Sequence, residues 1–196
     1  MRRSQSASPA DYVSWLRGTF TALGIDNARV AGLSYGGWLA TLLAANAPDI
    51  VNRLILMSPA ATLDRISPQW MFRMIPATFL RSQSYAERAL QWAAGRPHRP
   101  LNSDIAMAAK SMVSSRPFRR EFLPPNKFAD EELRNIAAPT SVVIGDREVI
   151  YAGGPHAALE RAQRFIPNVR TRLVPGAGHV LTSDAPDAVV AELTVD

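Results

Sequence analysis

A serine hydroxyl is a poor nucleophile near neutral pH, and the usual remedy is a histidine within hydrogen-bond reach, itself oriented by a carboxylate. The 196-residue sequence offers these residue types in the order serine, acid, histidine. Ser34 stands in Gly32-Leu-Ser-Tyr-Gly-Gly37, where small residues two before and two after the serine suit a sharp turn from strand to helix. Such a turn lifts the hydroxyl clear of the sheet and brings the first-turn amides of the helix beside it. The Tyr35 amide is then placed to donate to a developing oxyanion. Of the three histidines, His98 falls in the basic, proline-bracketed Arg96-Pro-His-Arg-Pro100 and His156 near a helix start, and both read as surface positions. His179 follows Pro175-Gly-Ala-Gly178, a loop after the last expected strand, which would put it on the same C-terminal sheet edge as Ser34. A turn ending another strand, Gly145-Asp-Arg-Glu148, supplies two candidate carboxylates there, Asp146 and Glu148.

Because a G-x-S-x-G match arises by accident in roughly a few per cent of chains of this length, the flanking elements must carry the reading. Ala28 to Leu33 is an apolar run of strand length. Trp38, Leu39, Leu42, Leu43 and Ala47 then recur at helical spacing until Pro48. Upstream, Ser8-Pro-Ala-Asp11 carries an N-cap, a first-position proline and an acid three residues after the cap, and Tyr12, Val13, Leu16, Phe20 and Leu23 make an apolar stripe ended by Gly24. Val51 to Met57 reads as the next strand, so strand, helix and strand imply a right-handed parallel crossover.

From Ala60 to Ala129 no strand is evident. Trp70, Met71, Phe72, Met74, Ile75, Phe79, Leu80, Tyr85, Leu90 and Trp92 suggest amphipathic helices, broken by Pro76, by Arg96-Pro-His-Arg-Pro100 and by Pro124-Pro125, and expected as a lid over an apolar pocket and in part as a small core of their own. Regular α/β order then resumes: a short helix over Asp130 to Ile136, a strand from Thr140 to Ile144, a helix from Pro155 to Ile166, a strand from Val169 to Val174 and a final helix over about Pro186 to Thr194. The expected class is therefore α/β with a parallel sheet. Residues 1–59 and 130–196 form its core and residues 60–129 a helical cap.

Composition narrows the function classes. The chain has 22 basic and 17 acidic residues, a net charge of +5, but the arginines are scattered apart from Arg2-Arg3 and the stretch from Arg116 to Arg120, so nucleic-acid binding is disfavoured. With no cysteine there is neither a thiol nucleophile nor a cysteine-ligated zinc site, and no metal or cofactor suggests itself. No apolar h-region follows Arg2-Arg3 and no window of about 20 apolar residues occurs, so a cytoplasmic protein that does not enter the membrane is expected.

Taken in order, Gly32-Leu-Ser-Tyr-Gly-Gly37, Leu56-Met-Ser-Pro59, Phe128-Ala-Asp-Glu-Glu-Leu133, Pro139 to Gly145, Glu148-Val-Ile-Tyr151 and Gly176-Ala-Gly-His179 resemble the α/β-hydrolase superfamily, specifically the carboxylesterase-like serine hydrolases with a helical cap. The resemblance implies hydrolysis of small-molecule carboxylic esters through an acyl-enzyme on Ser34, with His179 as base. In that family the acid usually stands three residues after the glycine ending its strand, which implies Glu148, with Asp146 as the alternative. The superfamily sheet has eight strands and the elbow serine follows the fifth, so the parallel strands here correspond to the last four and the chain to the C-terminal two-thirds of such an enzyme. No His-Gly pair is present to supply the loop that carries the second oxyanion donor. Two consequences are expected of a fragment or a gene with an internal start: weak catalysis, and self-association through the strand at Ala28, which becomes an edge. A non-catalytic interaction module is the alternative function.

Overall fold

The computed structural model describes residues 8–95, 103–115 and 123–194; His98, Arg2-Arg3 and the Arg116 to Arg120 cluster lie outside them. Four strands, β1 (Ala28–Leu33), β2 (Val51–Met57), β3 (Thr140–Gly145) and β4 (Val169–Val174), form one sheet in the order β1-β2-β3-β4. Every neighbouring pair is parallel, with Gly32 beside Leu56, Leu56 beside Val142 and Val142 beside Thr171. All C-terminal strand ends therefore point to one edge. A parallel pair cannot be closed by a tight hairpin, and the connections here contain helices: α1 (Pro9–Ala22) precedes β1, α2 (Tyr35–Asn46) joins β1 to β2, and α3 (Pro68–Phe79), α4 (Gln83–Ala93), α5 (Ser103–Ser114) and α6 (Asp130–Arg134) lie between β2 and β3. The connection from β3 to β4 is α7 (Gly154–Phe165), and α8 (Leu181–Asp184) and α9 (Pro186–Thr194) close the chain.

The period-two alternation of β2 and β3 divides the core. Leu54, Leu56, Val142 and Ile144 face the side covered by α1, α2, α6 and α7, where Trp38, Leu43, Leu133 and Ile166 complete the main cluster. Met57 and Val143 face the other side, against Val174, Ala177, Leu181 and Val189 from the C-terminal segment. β3 is buried along its whole length, as a strand with neighbours and cover on both faces must be. On β1, Arg29 and Ala31 are exposed, and by register they share a face with the exposed Arg170 and Arg172 of β4. The end of α9 reaches this face, where Arg29 donates to the Leu193 carbonyl at 3.3 Å and Leu33 packs against the second cluster, while Ala31 stays exposed.

The expected helices from Ala60 to Ala129 are α3, α4 and α5, and their small residues Ala77, Ala86, Ala89 and Ala109 pack with Leu90 and Ile105 into a satellite core. Helix α1 begins with the reciprocal Ser8–Asp11 capping box, Ser8 N–H donating to Asp11 at 2.8 Å and Asp11 N–H to the Ser8 hydroxyl at 3.3 Å. Two expectations fail. Pro76 does not break a helix but lies inside α3, where its missing N–H removes one main-chain bond and the helix still runs on to Phe79. Leu23 is not part of the apolar stripe. It is the C-cap residue, where the chain has left helical phase, and its side chain is 67% exposed.

The elbow itself depends on close backbone approach. A Cβ on Gly32 would stand 2.3 Å from the Gly36 carbonyl oxygen and 2.6 Å from the Gly37 nitrogen, and one on Gly37 would stand 2.8 Å from Pro59 Cβ. Gly36, by contrast, faces open space, so the motif's second glycine is not the one that packing demands. Gly32→Ala is expected to destabilise the fold by about 3 kcal/mol or more, because backbone rather than a flexible side chain must give way. Gly36→Ala, in the first turn of α2, is expected to change stability by less than about 1 kcal/mol. Urea unfolding of the two variants checks the contrast.

Candidate active site

Ser34 sits between β1 and α2 at φ 53°, ψ −119°, a backbone conformation that costs on the order of 1–3 kcal/mol for a residue with a Cβ and persists only where its surroundings enforce it. Three backbone bonds do so. Ser34 N–H donates to the Met57 carbonyl at 3.0 Å, and the Ser34 carbonyl accepts from Ala60 at 2.9 Å and from Trp38 at 3.1 Å. The strain is thus absorbed by the ends of two parallel strands and by the first turn of α2, and the hydroxyl is held at the C-terminal sheet edge.

His179 reaches that hydroxyl from the loop between β4 and α8. Its Nε2 lies 2.8 Å from Ser34 Oγ, and its Nδ1 lies 3.0 and 3.1 Å from the two carboxylate oxygens of Glu148. The loop is close to the acid turn because Gly145 and Ala177 touch backbone to backbone: a Cβ on Gly145 would stand 2.1 Å from the Ala177 carbonyl oxygen. Arg147 N–H donates to that same carbonyl at 2.9 Å. Both His179 and Glu148 are buried.

Burial raises the carboxyl of Glu148, but the neighbouring His179, the Ser58 hydroxyl and the Ile150 amide outweigh it and hold the group below the ordinary glutamate range. The amides of Val149 and Ile150 both donate to Oε1 at 2.9 Å. Ser58 is buried near the carboxylate without meeting hydrogen-bond geometry. The outcome is an ionised acid in a buried seat, able to accept Nδ1–H and to face an imidazolium.

The expected residues sort clearly. Ser34, Glu148 and His179 come together. Asp146 does not reach the histidine; its Oδ1 accepts the Gly176 N–H at 2.8 Å and so pins the start of the loop that carries His179. Tyr35 is the first residue of α2, so its amide lies beside Ser34, while its phenol donates to the Leu123 carbonyl at 2.9 Å and its ring stacks on Trp38 at 5.7 Å. His156 is exposed on α7. Sequence reasoning placed Trp70 only in the lid and missed its contact with His179, ring centroids 4.4 Å apart, and it missed Ala93, whose carbonyl accepts the His179 N–H at 2.8 Å. Neither carries a local signal; the contacts join segments far apart in the chain.

Ser34 and Tyr35 open into a cavity of about 730 Å³ walled by Ile66, Trp70, Met71, Met74, Phe79 and Pro124 among others. No charged side chain lines it among the described residues. Of the insertion residues expected to meet a pocket, Trp70, Met71, Met74, Ile75 and Phe79 do, while Tyr85 and Leu90 belong to the satellite core and Phe72 is 80% exposed.

A four-stranded parallel sheet bearing a strained serine at a strand-to-helix turn, with acid and histidine delivered from the next strand ends, is the arrangement of one protein class. The chain belongs to the alpha/beta hydrolase family, whose profile matches residues 2–192. Among its relatives is the carboxylesterase YbfK of Bacillus subtilis (strain 168), 30% identical over 186 residues that cover 92% of this chain and 60% of the relative. A solved naproxen esterase (carboxylesterase NP) from Bacillus subtilis superposes with a TM-score of 0.85 at 28% identity, covering 97% of this chain and 67% of that one. The crystal structure of the carboxylesterase CesB (YbfK) from the same organism gives a TM-score of 0.83 at 27% identity, with the same coverage. The chain thus has a partial α/β-hydrolase fold and spans about 60% of the length of the curated relatives it matches.

Proposed function

We propose that this chain is a serine hydrolase that cleaves carboxylic esters through an acyl-enzyme on Ser34. The observation that carries the reading is the continuous relay from Ser34 Oγ to His179 Nε2 at 2.8 Å and from Nδ1 to Glu148 at 3.0 Å. As Oγ attacks the ester carbonyl carbon, Nε2 takes its proton, and the imidazolium is balanced by Glu148. The Tyr35 amide donates to the carbonyl oxygen as it gains charge. The histidine then protonates the departing alkoxide, and a water deprotonated by the same nitrogen releases the acid and restores the hydroxyl. Serine at the elbow supports acyl transfer, since its ester is itself hydrolysable. In this reading α3, α4 and α5 are a cap over the pocket, and residues 1–59 and 130–196 are the catalytic core. A fluorophosphonate probe tests the reading: covalent labelling at Ser34, lost in Ser34→Ala, supports it, and an unlabelled, folded chain rejects it.

The cavity fits an uncharged, apolar acyl chain of short to medium length. An anionic chain would surrender its hydration to a wall with no cation among the described residues to receive it. A p-nitrophenyl ester of a neutral acyl chain is therefore expected to exceed its ω-carboxylated counterpart by about 100-fold or more in kcat/KM, the scale of ~3 kcal/mol. Equal values for the two esters would reject the apolar-pocket reading.

The place of β1 as an edge strand among the described residues, with Ala31 exposed, favours a second property. Unpaired strand edges template association, and size-exclusion chromatography of the chain is expected to show species larger than the 21.4 kDa monomer. A single monomer peak across micromolar concentrations would contradict this. No described helix is long and apolar enough to cross a membrane.

A further inference from the structure

We propose that Trp70 is a positioning residue for His179, and that Ser67 fixes Trp70 by tying helix α3 back to the segment bearing Glu148. The inference rests on the serine-hydrolase reading and adds to it a role for the insertion: α3 and α4 form part of the seat of the base as well as a wall of the pocket.

The ring of His179 is held at Nδ1 by both Glu148 oxygens, at Nε2 by Ser34 Oγ and through Cβ by its main chain. Hydrogen bonds alone still tolerate small rotations about the Cα–Cβ and Cβ–Cγ bonds, to which proton transfer from Oγ is sensitive. The indole of Trp70 provides a further contact, edge to face at 4.4 Å between centroids and 64° between planes. The indole is itself braced, by Trp92 at 6.3 Å, over which the Arg73 guanidinium lies 4.7 Å from the ring centroid.

The backbone of Trp70 is tied as firmly. Ser67, buried at the N-cap of α3, accepts the Trp70 N–H at 3.1 Å and donates its hydroxyl to the Val149 carbonyl at 2.6 Å, while its own N–H donates to the Ile150 carbonyl at 2.7 Å. Val149 and Ile150 are the residues whose amides hold Glu148. The contacts therefore close a circuit: Glu148 to Val149 and Ile150, to Ser67, to Trp70, to His179 and back to Glu148. From the other side, α4 holds the backbone of the base. Ala93 accepts the His179 N–H at 2.8 Å, and a Cβ on Gly178 would stand 2.4 Å from the Ala94 carbonyl carbon. Neither Ser67 nor Trp70 donates or accepts a proton in the proposed reaction. Their effect is on geometry, where a misplacement of about 1 Å can cost on the order of 100-fold.

The experiment uses the whole chain and three variants, Trp70→Leu, Trp70→Phe and Ser67→Ala. End-point labelling with a small alkyl fluorophosphonate counts competent sites, and the labelling rate and p-nitrophenyl acetate turnover are then expressed per competent site. Trp70→Leu is expected to lower both by about 10- to 100-fold with KM for acetate changed less than about twofold, since so small an acyl group does not span the cavity. Trp70→Phe, which restores an aromatic edge, should recover to within about threefold of wild type, and Ser67→Ala, which leaves the pocket wall intact, should lose about three- to tenfold. Unchanged per-site rates in both Trp70→Leu and Ser67→Ala would overturn the proposal, as would a raised KM with unchanged kcat, the mark of a pocket wall alone. If Trp70→Leu yields no competent sites, Ser67→Ala decides the matter with the indole still in place. An unlabelled wild-type chain would instead overturn the hydrolase reading, and this proposal with it.

Discussion

Ser34→Ala and His179→Ala are each expected to lower ester turnover by about 10⁴-fold or more, the range set by measured serine-hydrolase triads. The two losses should not multiply. A hydroxyl without its base and a base without its hydroxyl are equally idle, so the double variant is expected to turn over within about tenfold of the weaker single one. The two substitutions differ in their structural cost. Ser34 is held through its main-chain N–H and carbonyl, which alanine retains, so the elbow should survive. Removing the imidazole leaves the buried Glu148 carboxylate without its Nδ1–H donor and the Trp70 indole without the ring it rests on. Leaving a buried carboxylate one hydrogen-bond donor short costs on the order of 1–3 kcal/mol or more, so His179→Ala should unfold at lower urea concentration while Ser34→Ala should not. Activities are therefore compared at temperatures where both variants are folded. Retention of most turnover in either variant would reject the assignment of nucleophile and base.

What the sequence disclosed and what it withheld follow from how local each feature is. The four strands and the helices flanking them announce themselves by period, caps and breakers within windows of a dozen residues, and the observed α1, β1, α2, β2 and β3 differ from expectation by at most a residue or two. Helix α8, four residues long, is too short for any periodicity to register. The insertion was legible as helical, since its apolar residues recur at helical spacing, but that spacing says nothing of the partner. Ten such residues could not be divided into pocket wall, satellite core and exposed surface until the fold placed them. The elbow shows the same limit at finer scale. The pattern names Gly32 and Gly36, yet the close approach is made by Gly32 and Gly37, because it depends on where the neighbouring Pro59 passes. Trp70 and Ala93 meet His179 only through tertiary structure, and no residue spacing foretells them.

The acid is the member of the site whose assignment the sequence left most open, and the geometry gives it sharply different expected outcomes. Glu148→Gln is expected to lower turnover by about 10³- to 10⁴-fold, by analogy with the amide substitution of a triad acid in trypsin. The glutamine amide can donate to Nδ1, which stabilises the tautomer with the proton on the wrong nitrogen, and it offers no charge to balance the imidazolium. The fold should persist, because the glutamine carbonyl oxygen still accepts from Val149 and Ile150. Asp146→Asn, whose remaining carbonyl can keep the bond to Gly176, should cost less than about tenfold; the opposite ranking would transfer the role to Asp146. The pH dependence of stability supplies a second, independent readout. Although burial alone would raise it, the Glu148 carboxyl is held below its ordinary value, about 4.3 in an unfolded chain, by His179, Ser58 and the Ile150 amide. A carboxylate whose folded value is depressed contributes stability that is fully present above the unfolded value and is lost as pH falls from there through the folded one. Wild-type stability should therefore decline on acidification from about pH 5 downward with a contribution from this group, and Glu148→Gln, which has no proton to take up, should show a shallower decline over the same window. Urea unfolding curves collected at intervals from pH 6 to pH 3 measure both slopes, and parallel declines would show that Glu148 is not the group holding the charge.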